Sequence, residues 1–242
     1  ISFVMAGIYY SQKKFKKARK HFFNLLNLDP ASKNSHKALN RIGDSYMVEG
    51  NYQNALSVFD ESGKRKSIKR DDDGRAVFDK EGVVVREDSA QTQYGKIRMA
   101  DIGVRSPRLK IRDIVFDVEH YYKPFKTFDK IFVEARNVDI LAEVTLSRGI
   151  AYLLEQNYLK AIDEFKKLLP LGPESQFFQE ADRYIRQALI ALIGKYAQQD
   201  GNLPILYSYS DFISLPIGDI KNAQTLLQVG EAYQAIGMFA EA

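Results

Sequence analysis

The residues that could do chemistry are few. A chain of 242 residues with no cysteine and three histidines, His21, His36 and His120, has no thiolate for a zinc site, an iron–sulfur cluster or a nucleophile. None of the histidines stands four residues from a second ligand type in a zinc spacing, so they read as surface or packing residues. Asp71-Asp72-Asp73-Gly74 offers clustered carboxylates to a hard cation. The alternating calcium-loop pattern, however, needs an acid or amide where Lys69 stands, and a solvated turn is the better reading. No glycine-rich phosphate loop follows a strand pattern, and no Gly-x-Ser-x-Gly elbow occurs. None of the 31 Asp and Glu carries a distinguishing pair spacing. The expectation is a protein that is not an enzyme, with no cofactor and no metal.

The cations say more. Lys13, Lys14, Lys16, Lys17, Arg19 and Lys20 form one cluster; Lys64, Arg65, Lys66, Lys69 and Arg70 a second; Arg105, Arg108, Lys110 and Arg112 a third. Cations within one screening length reinforce each other, so such runs could meet anionic lipid headgroups, an acidic polysaccharide or an acidic protein face. The plainer reading is a solvated face that keeps the chain in solution. With a net charge of only +4 and no strand motif interleaving aromatics with cations, nucleic acid is not an expected partner.

The composition, 45% hydrophobic and 27% charged, is that of a folded globular chain. Its longest apolar run, residues 188–194 (ALIALIG), is far short of the roughly 20 residues that cross a bilayer. The amino end, ISFVMAGIYYSQKKF, has neither the order of a signal peptide nor an initiator Met, which suggests a piece of a longer protein.

These side chains must be positioned by helices. Prolines at 30, 107, 124, 170, 173, 204 and 216 punctuate segments of helical apolar spacing. Within those segments a pattern recurs: a small residue, an aromatic three on, another aromatic six beyond that, and a small residue three further. Gly7, Tyr9, Tyr10, Phe15, Ala18 and Phe22 form the first copy; Gly43, Tyr46, Gly50, Tyr52, Ala55 and Phe59 the second. Gly149, Tyr152, Tyr158, Ala161, Phe165 and Pro173 form another, and Gly230, Tyr233, Gly237, Phe239 and Ala242 a truncated last one. Two antiparallel helices need this: small residues where the backbones cross, aromatics filling the space beside them.

The spacing between copies leaves room for divergent pairs. Residues 89–102 and 122–135 supply one, the latter with Phe125, Phe128, Ile131 and Phe132 on one face, joined by a long connection over 103–119. Residues 174–196 and 203–213 supply another, with Phe178, Ala181, Ile185, Leu189, Leu192 and Tyr196 inward. Between the second and third pairs, residues 71–87 read as an inserted β-hairpin around the turn at Asp79–Gly82.

The recurring Gly, Tyr, Ala and Phe positions resemble the tetratricopeptide repeat family. The resemblance implies an all-α fold: a right-handed solenoid of about six helix pairs over 1–242, carrying the small β-hairpin. The pairs cover about 1–33, 35–66, 88–137, 139–172, 173–215 and 219–242. In that family the first helix of each pair lines a concave groove that takes a partner. Carried onto this chain, the groove positions are Lys37, Asn40, Asp44, Met47 and Val48 in the second copy, and Glu143, Leu146, Ile150, Leu153 and Leu154 in a later one. The terminal-carboxylate clamp of some members would need Lys and Asn where Phe3 and Gly7 stand, so that ligand is not expected. Residues 93–103 and 229–242 also resemble the divergent repeats of bacterial cell-envelope members, which implies a periplasmic or envelope location, with the cytoplasm as the alternative because a chain without cysteine suits either compartment.

The expected function is therefore a non-catalytic protein–protein interaction scaffold. A partner peptide or protein would lie in the groove, in envelope assembly or secretion. Two alternatives stand beside it: binding of an anionic polysaccharide or membrane surface through Lys13, Lys14, Lys16, Lys17, Lys64, Arg65 and Lys66, or service as a regulatory region of a larger enzyme.

Overall fold

The computed structural model describes residues 2–30, 32–111 and 114–238, which fold mainly as α-helices with short β elements. The chain forms two compact units, 1–141 and 142–242. Unit 1 contains α1 (Ser2–Ser11), α2 (Phe15–Leu28), α3 (Lys33–Val48), α4 (Tyr52–Lys64), β1 (Ser67–Ile68), β2 (Arg86–Glu87), α5 (Ala90–Arg105), β3 (Arg108–Ile111), β4 (Ile114–Asp117), α6 (Val118–Tyr122) and α7 (Pro124–Glu134). The unit boundary falls within α8 (Val138–Leu154). Unit 2 continues with α9 (Tyr158–Lys166), α10 (Gln176–Ala197), α11 (Asn202–Ile213) and α12 (Ala223–Ala235).

Helix starts follow from capping chemistry. Ser32, Asn51, Ser89, Asp117 and Asn222 each accept a hydrogen bond from the backbone N–H three residues on. Each satisfies one of the donors that a helix N-terminus leaves open. Pro124 opens α7, where its missing donor is not needed.

The turns inside the pairs repeat one geometry. Lys13, Gly50, Gln156, Asp200 and Gly237 all have a left-handed φ, between 53° and 81°. In each case the following residue donates its N–H to the carbonyl of a tyrosine five positions back: Lys14 to Tyr9, Asn51 to Tyr46, Asn157 to Tyr152, Gly201 to Tyr196 and Met238 to Tyr233, at 2.8–2.9 Å. This is the left-handed helix ending that returns the chain antiparallel. It marks α10 and α11 as a pair of the same kind as α1 and α2. In the last copy Gly230, Tyr233 and Gly237 belong to α12 and its turn, while Phe239 and Ala242 lie outside the described residues.

The small-residue positions explain the close crossings. A Cβ on Gly43 would lie 2.5 Å from the Phe59 ring, and one on Gly149 would collide with the Phe165 ring. Both phenylalanines are fully buried. In the first copy the corresponding position, sixteen residues before Phe22, is Ala6, which is fully buried. A Cβ added to Gly7 would meet nothing within 4 Å outside its own stretch of helix, so the expectation that Gly7 is the crossing residue is corrected by one position.

The unit 1 core has two neighbouring clusters. Ala6, Ala18, Phe22, Ala38 and Ile42 join α1, α2 and α3. Ala55, Leu56, Phe59, Met99, Ile102 and Val118 join α4, α5 and α6. In unit 2 Ala161 and Phe165 of α9 pack with Ala181, Ile185, Leu189, Leu192 and Ile193 of α10, and Ile205 and Phe212 of α11 extend the same cluster.

The inserted β element begins at Ser67 and has three extended segments rather than two. β1 pairs antiparallel with β2, and isolated bridges join Arg70 to Ala76 and Phe78 to Val84. The backbone bonds close a ring: Lys69 N–H donates to Val85, Val85 to Val77, and Val77 to Lys69, at 2.8–3.0 Å. The three residues are eight apart, as are the turn pairs Asp71/Asp79 and Gly74/Gly82. Each turn aspartate accepts from two backbone N–H groups through Oδ1: Asp71 from Asp73 and Arg75, Asp79 from Glu81 and Val83. That is the solvated turn expected at Asp71–Gly74.

The connection over 103–119 is not a plain loop. β3 and β4 form a second hairpin in which Leu109 lies opposite Phe116, and both side chains pack against the α4–α5 cluster. The hairpin and α6 occupy the stretch where the other pairs have their tight turn.

Candidate functional site: a polar face on the first helices of unit 1

Helices α1, α3 and α5 bring together Tyr10, Arg41, Asp44, Tyr94, Arg98 and Asp101. Asp44 sits one turn before the end of α3 with a side chain only 12% exposed. Its Oδ1 accepts a hydrogen bond from the Tyr94 hydroxyl at 2.9 Å. Arg98 Nε stands 3.6 Å from the same oxygen, and Arg98 Nη1 donates to Asp101 Oδ2 at 2.7 Å. The Arg98 guanidinium lies over the Tyr94 ring at 4.7 Å. Arg41, one turn back on α3, reaches Asp44 at 3.9 Å and lies over the Tyr10 ring at 5.5 Å.

Burial pushes the Asp44 carboxyl up from its ordinary value, against the opposing pull of Arg98, the Tyr94 hydroxyl and Arg41. Burial likewise raises Tyr10, with the nearby Asp44 charge adding to it. The arrangement is a fixed polar platform: an acid held from below by α5, with the 58% exposed side chain of Arg41 at its rim. Among the described residues no group of three His, Asp or Glu side chains is placed to hold a metal ion.

The groove positions read from the sequence divide sharply. On α3, Lys37 and Val48 are exposed, Met47 is half-buried and Asp44 is the centre of the platform. Asn40 is buried, 3% exposed. Its Nδ2 donates to the backbone carbonyl and Oε1 of Gln91, and its Oδ1 accepts from Ser62 Oγ at 2.6 Å. His36 joins this network at Ser62, and burial lowers its pKa. Asn40 therefore ties α3 to α4 and α5 and presents nothing to a groove.

On α8, Glu143 and Leu146 are buried. Leu146 belongs to the unit 2 core, and Ile150 and Leu153 pack against it. Leu154 alone of these five is exposed, at 51%.

Sequence reasoning missed Tyr10, Tyr94, Arg98 and Asp101. A signal was present in the spacing of Tyr94, Arg98 and Asp101, which places all three on one side of a helix. It was masked because neither Gly95 nor Gly103 is followed by an aromatic three residues on, so this copy does not show the spacing of the others.

The basic clusters also separate. In the second, Lys64 pairs with Asp60 at 2.5 Å, Arg65 with Glu61 at 2.8 Å, and Lys66 approaches Asp88 at 3.8 Å. In the first, Arg19 turns inward: it is 8% exposed, pairs with Glu49 at 2.8 Å, donates to Ser45 Oγ and lies over the Tyr46 ring. Lys13, Lys14, Lys16, Lys17 and Lys20 stay exposed. Arg112 of the third cluster lies outside the described residues.

The folded chain is similar to a tetratricopeptide repeat protein from Parabacteroides merdae. Identity to that crystal structure is 14%, the match covers 99% of this chain and 73% of the other, and the TM-score is 0.48. No family model matches the sequence, and no curated protein matches it. No helix among the described residues is long and apolar enough to cross a membrane.

Proposed function

We propose that the chain is a non-catalytic scaffold that holds a segment of a partner protein along the first helices of unit 1. The observation that carries this is the contrast along α3. Lys37, Arg41 and Val48 lie on one side of the helix and are open to solvent, while Asp44 between them is locked by Tyr94. A platform whose geometry is set in advance loses little freedom when a partner arrives. Its chemistry suits a segment that brings carboxylates to Lys37 and Arg41 and an apolar side chain to Val48.

The test is capture of partners from an extract of the source organism by the full chain, compared with a Lys37→Glu/Arg41→Glu variant of unchanged helix content. Site-specific photo-crosslinkers at positions 37 and 48 should join the captured partner, and the charge-reversed variant should lose it. Equal capture by the variant, with no crosslink from either position, would remove this face from consideration.

A further inference from the structure

Residues 1–28 contain six Lys or Arg and no Asp or Glu, in a chain whose whole excess is +4. Arg19 is spent on Glu49 inside the fold, which leaves five lysines. None of them has an ion-pair partner among the described residues, unlike the neutralised cluster at Lys64, Arg65 and Lys66.

The exposed side of α2 is built from Lys16, Lys17, Lys20, Phe23, Asn24, Asn27 and Leu28. At 3.6 residues per turn these fall within about 140° of arc. Phe23 is 41% exposed and Leu28 79%, so large apolar side chains and ammonium groups with no carboxylate partner share one face. Lys13, in the turn just ahead, continues it. Towards α1 the face is bordered by Tyr9, which stacks on His21 and lies under Lys17.

We propose that this face of α2 docks the protein on an anionic lipid surface. The lysines are hydrated point charges on flexible stems, suited to a diffuse layer of headgroup phosphate and carboxylate; the bidentate fork that recognises a single carboxylate is arginine's, and the one arginine here is buried. Phe23 and Leu28 supply the apolar contact that reaches past the headgroups. A solvated basic face would need no exposed aromatic among its charges, and an acidic protein partner would be met by ion pairs of fixed geometry.

The experiment is co-sedimentation of the full chain with vesicles of phosphatidylcholine, alone or with about one-third phosphatidylserine. The chain should sediment with the anionic vesicles only, and binding should collapse as salt is raised. The Lys16→Gln/Lys17→Gln/Lys20→Gln variant, with unchanged helix content, should bind on the order of a hundredfold more weakly. Phe23→Ser should weaken binding several-fold while leaving the salt dependence in place. The proposal is overturned if the chain ignores anionic vesicles, if the triple variant binds as well as the original, or if a soluble acidic polysaccharide or acidic peptide captures the chain while vesicles do not. None of these substitutions touches Lys37 or Arg41, so the outcome is independent of the partner-binding test.

Discussion

Asp44 couples the candidate site to pH. Its folded-state pKa is raised above the ordinary 3.8, chiefly by burial, so the folded chain holds this proton more tightly than the unfolded chain does. The contribution to stability is then most favourable below 3.8 and is lost as pH rises through the raised value. Asp44→Asn keeps an acceptor for the Tyr94 hydroxyl and removes the charge. Thermal midpoints measured in parallel should show the original chain falling behind the variant as pH climbs from acid towards neutral. A constant gap across that range would mean that Arg98 and Arg41 fully offset the burial. The same residue shows what the sequence could and could not yield. Repeat alignment put Asp44 and Asn40 on one helix face, four residues apart, but could not say that Gln91 and Ser62 would enclose Asn40 while Tyr94 and Arg98 framed Asp44. Those partners are 22 to 54 positions away along the chain.

At the scale of elements, the tyrosine-terminated turn is the unit that repeats. Only two of its five left-handed positions are glycine; Lys13, Gln156 and Asp200 take the same conformation with a side chain. A Cβ in that region costs about 1–2 kcal/mol. Gln156→Gly should therefore stabilise the chain by about 0.5–1 kcal/mol after the extra freedom of glycine in the unfolded state is counted. Gly50→Ala should destabilise it by about 1 kcal/mol. Urea midpoints moving in opposite directions for the two variants would bear this out, and shifts of the same sign would refute it. Helix positions were legible because Gly43, Ala55 and Phe59 leave a period in the sequence. The crossing residue of the first copy was misplaced because Gly7 stands beside Ala6 and composition alone favours the glycine. In the sequence the β3–β4 hairpin reads as a connection although Arg108-Leu109-Lys110-Ile111 alternates. A run that short cannot be told from a loop until Leu109 and Phe116 find a helix pair to cover.

Charge is a property of the whole molecule, and it is unevenly placed. Replacing Lys16, Lys17 and Lys20 with Gln lowers the net charge by as much as replacing Lys160, Lys195 and Lys221, which lie scattered in unit 2. On a cation-exchange column the first variant should elute at clearly lower salt and the second close to the original chain, because a matrix responds to charges within a screening length of each other. Equal shifts would mean that the cluster acts only through its sum. The β element carries a consequence of another kind. Each of its three extended segments divides its backbone bonds between two neighbours, turning from one to the other near Lys69, Val77 or Val85. No segment within 67–87 therefore presents an uninterrupted row of free donors and acceptors on which a second molecule could zip up. An outward-facing insertion bearing Phe78 and Val83, both 58% exposed, is thereby guarded against strand-by-strand aggregation.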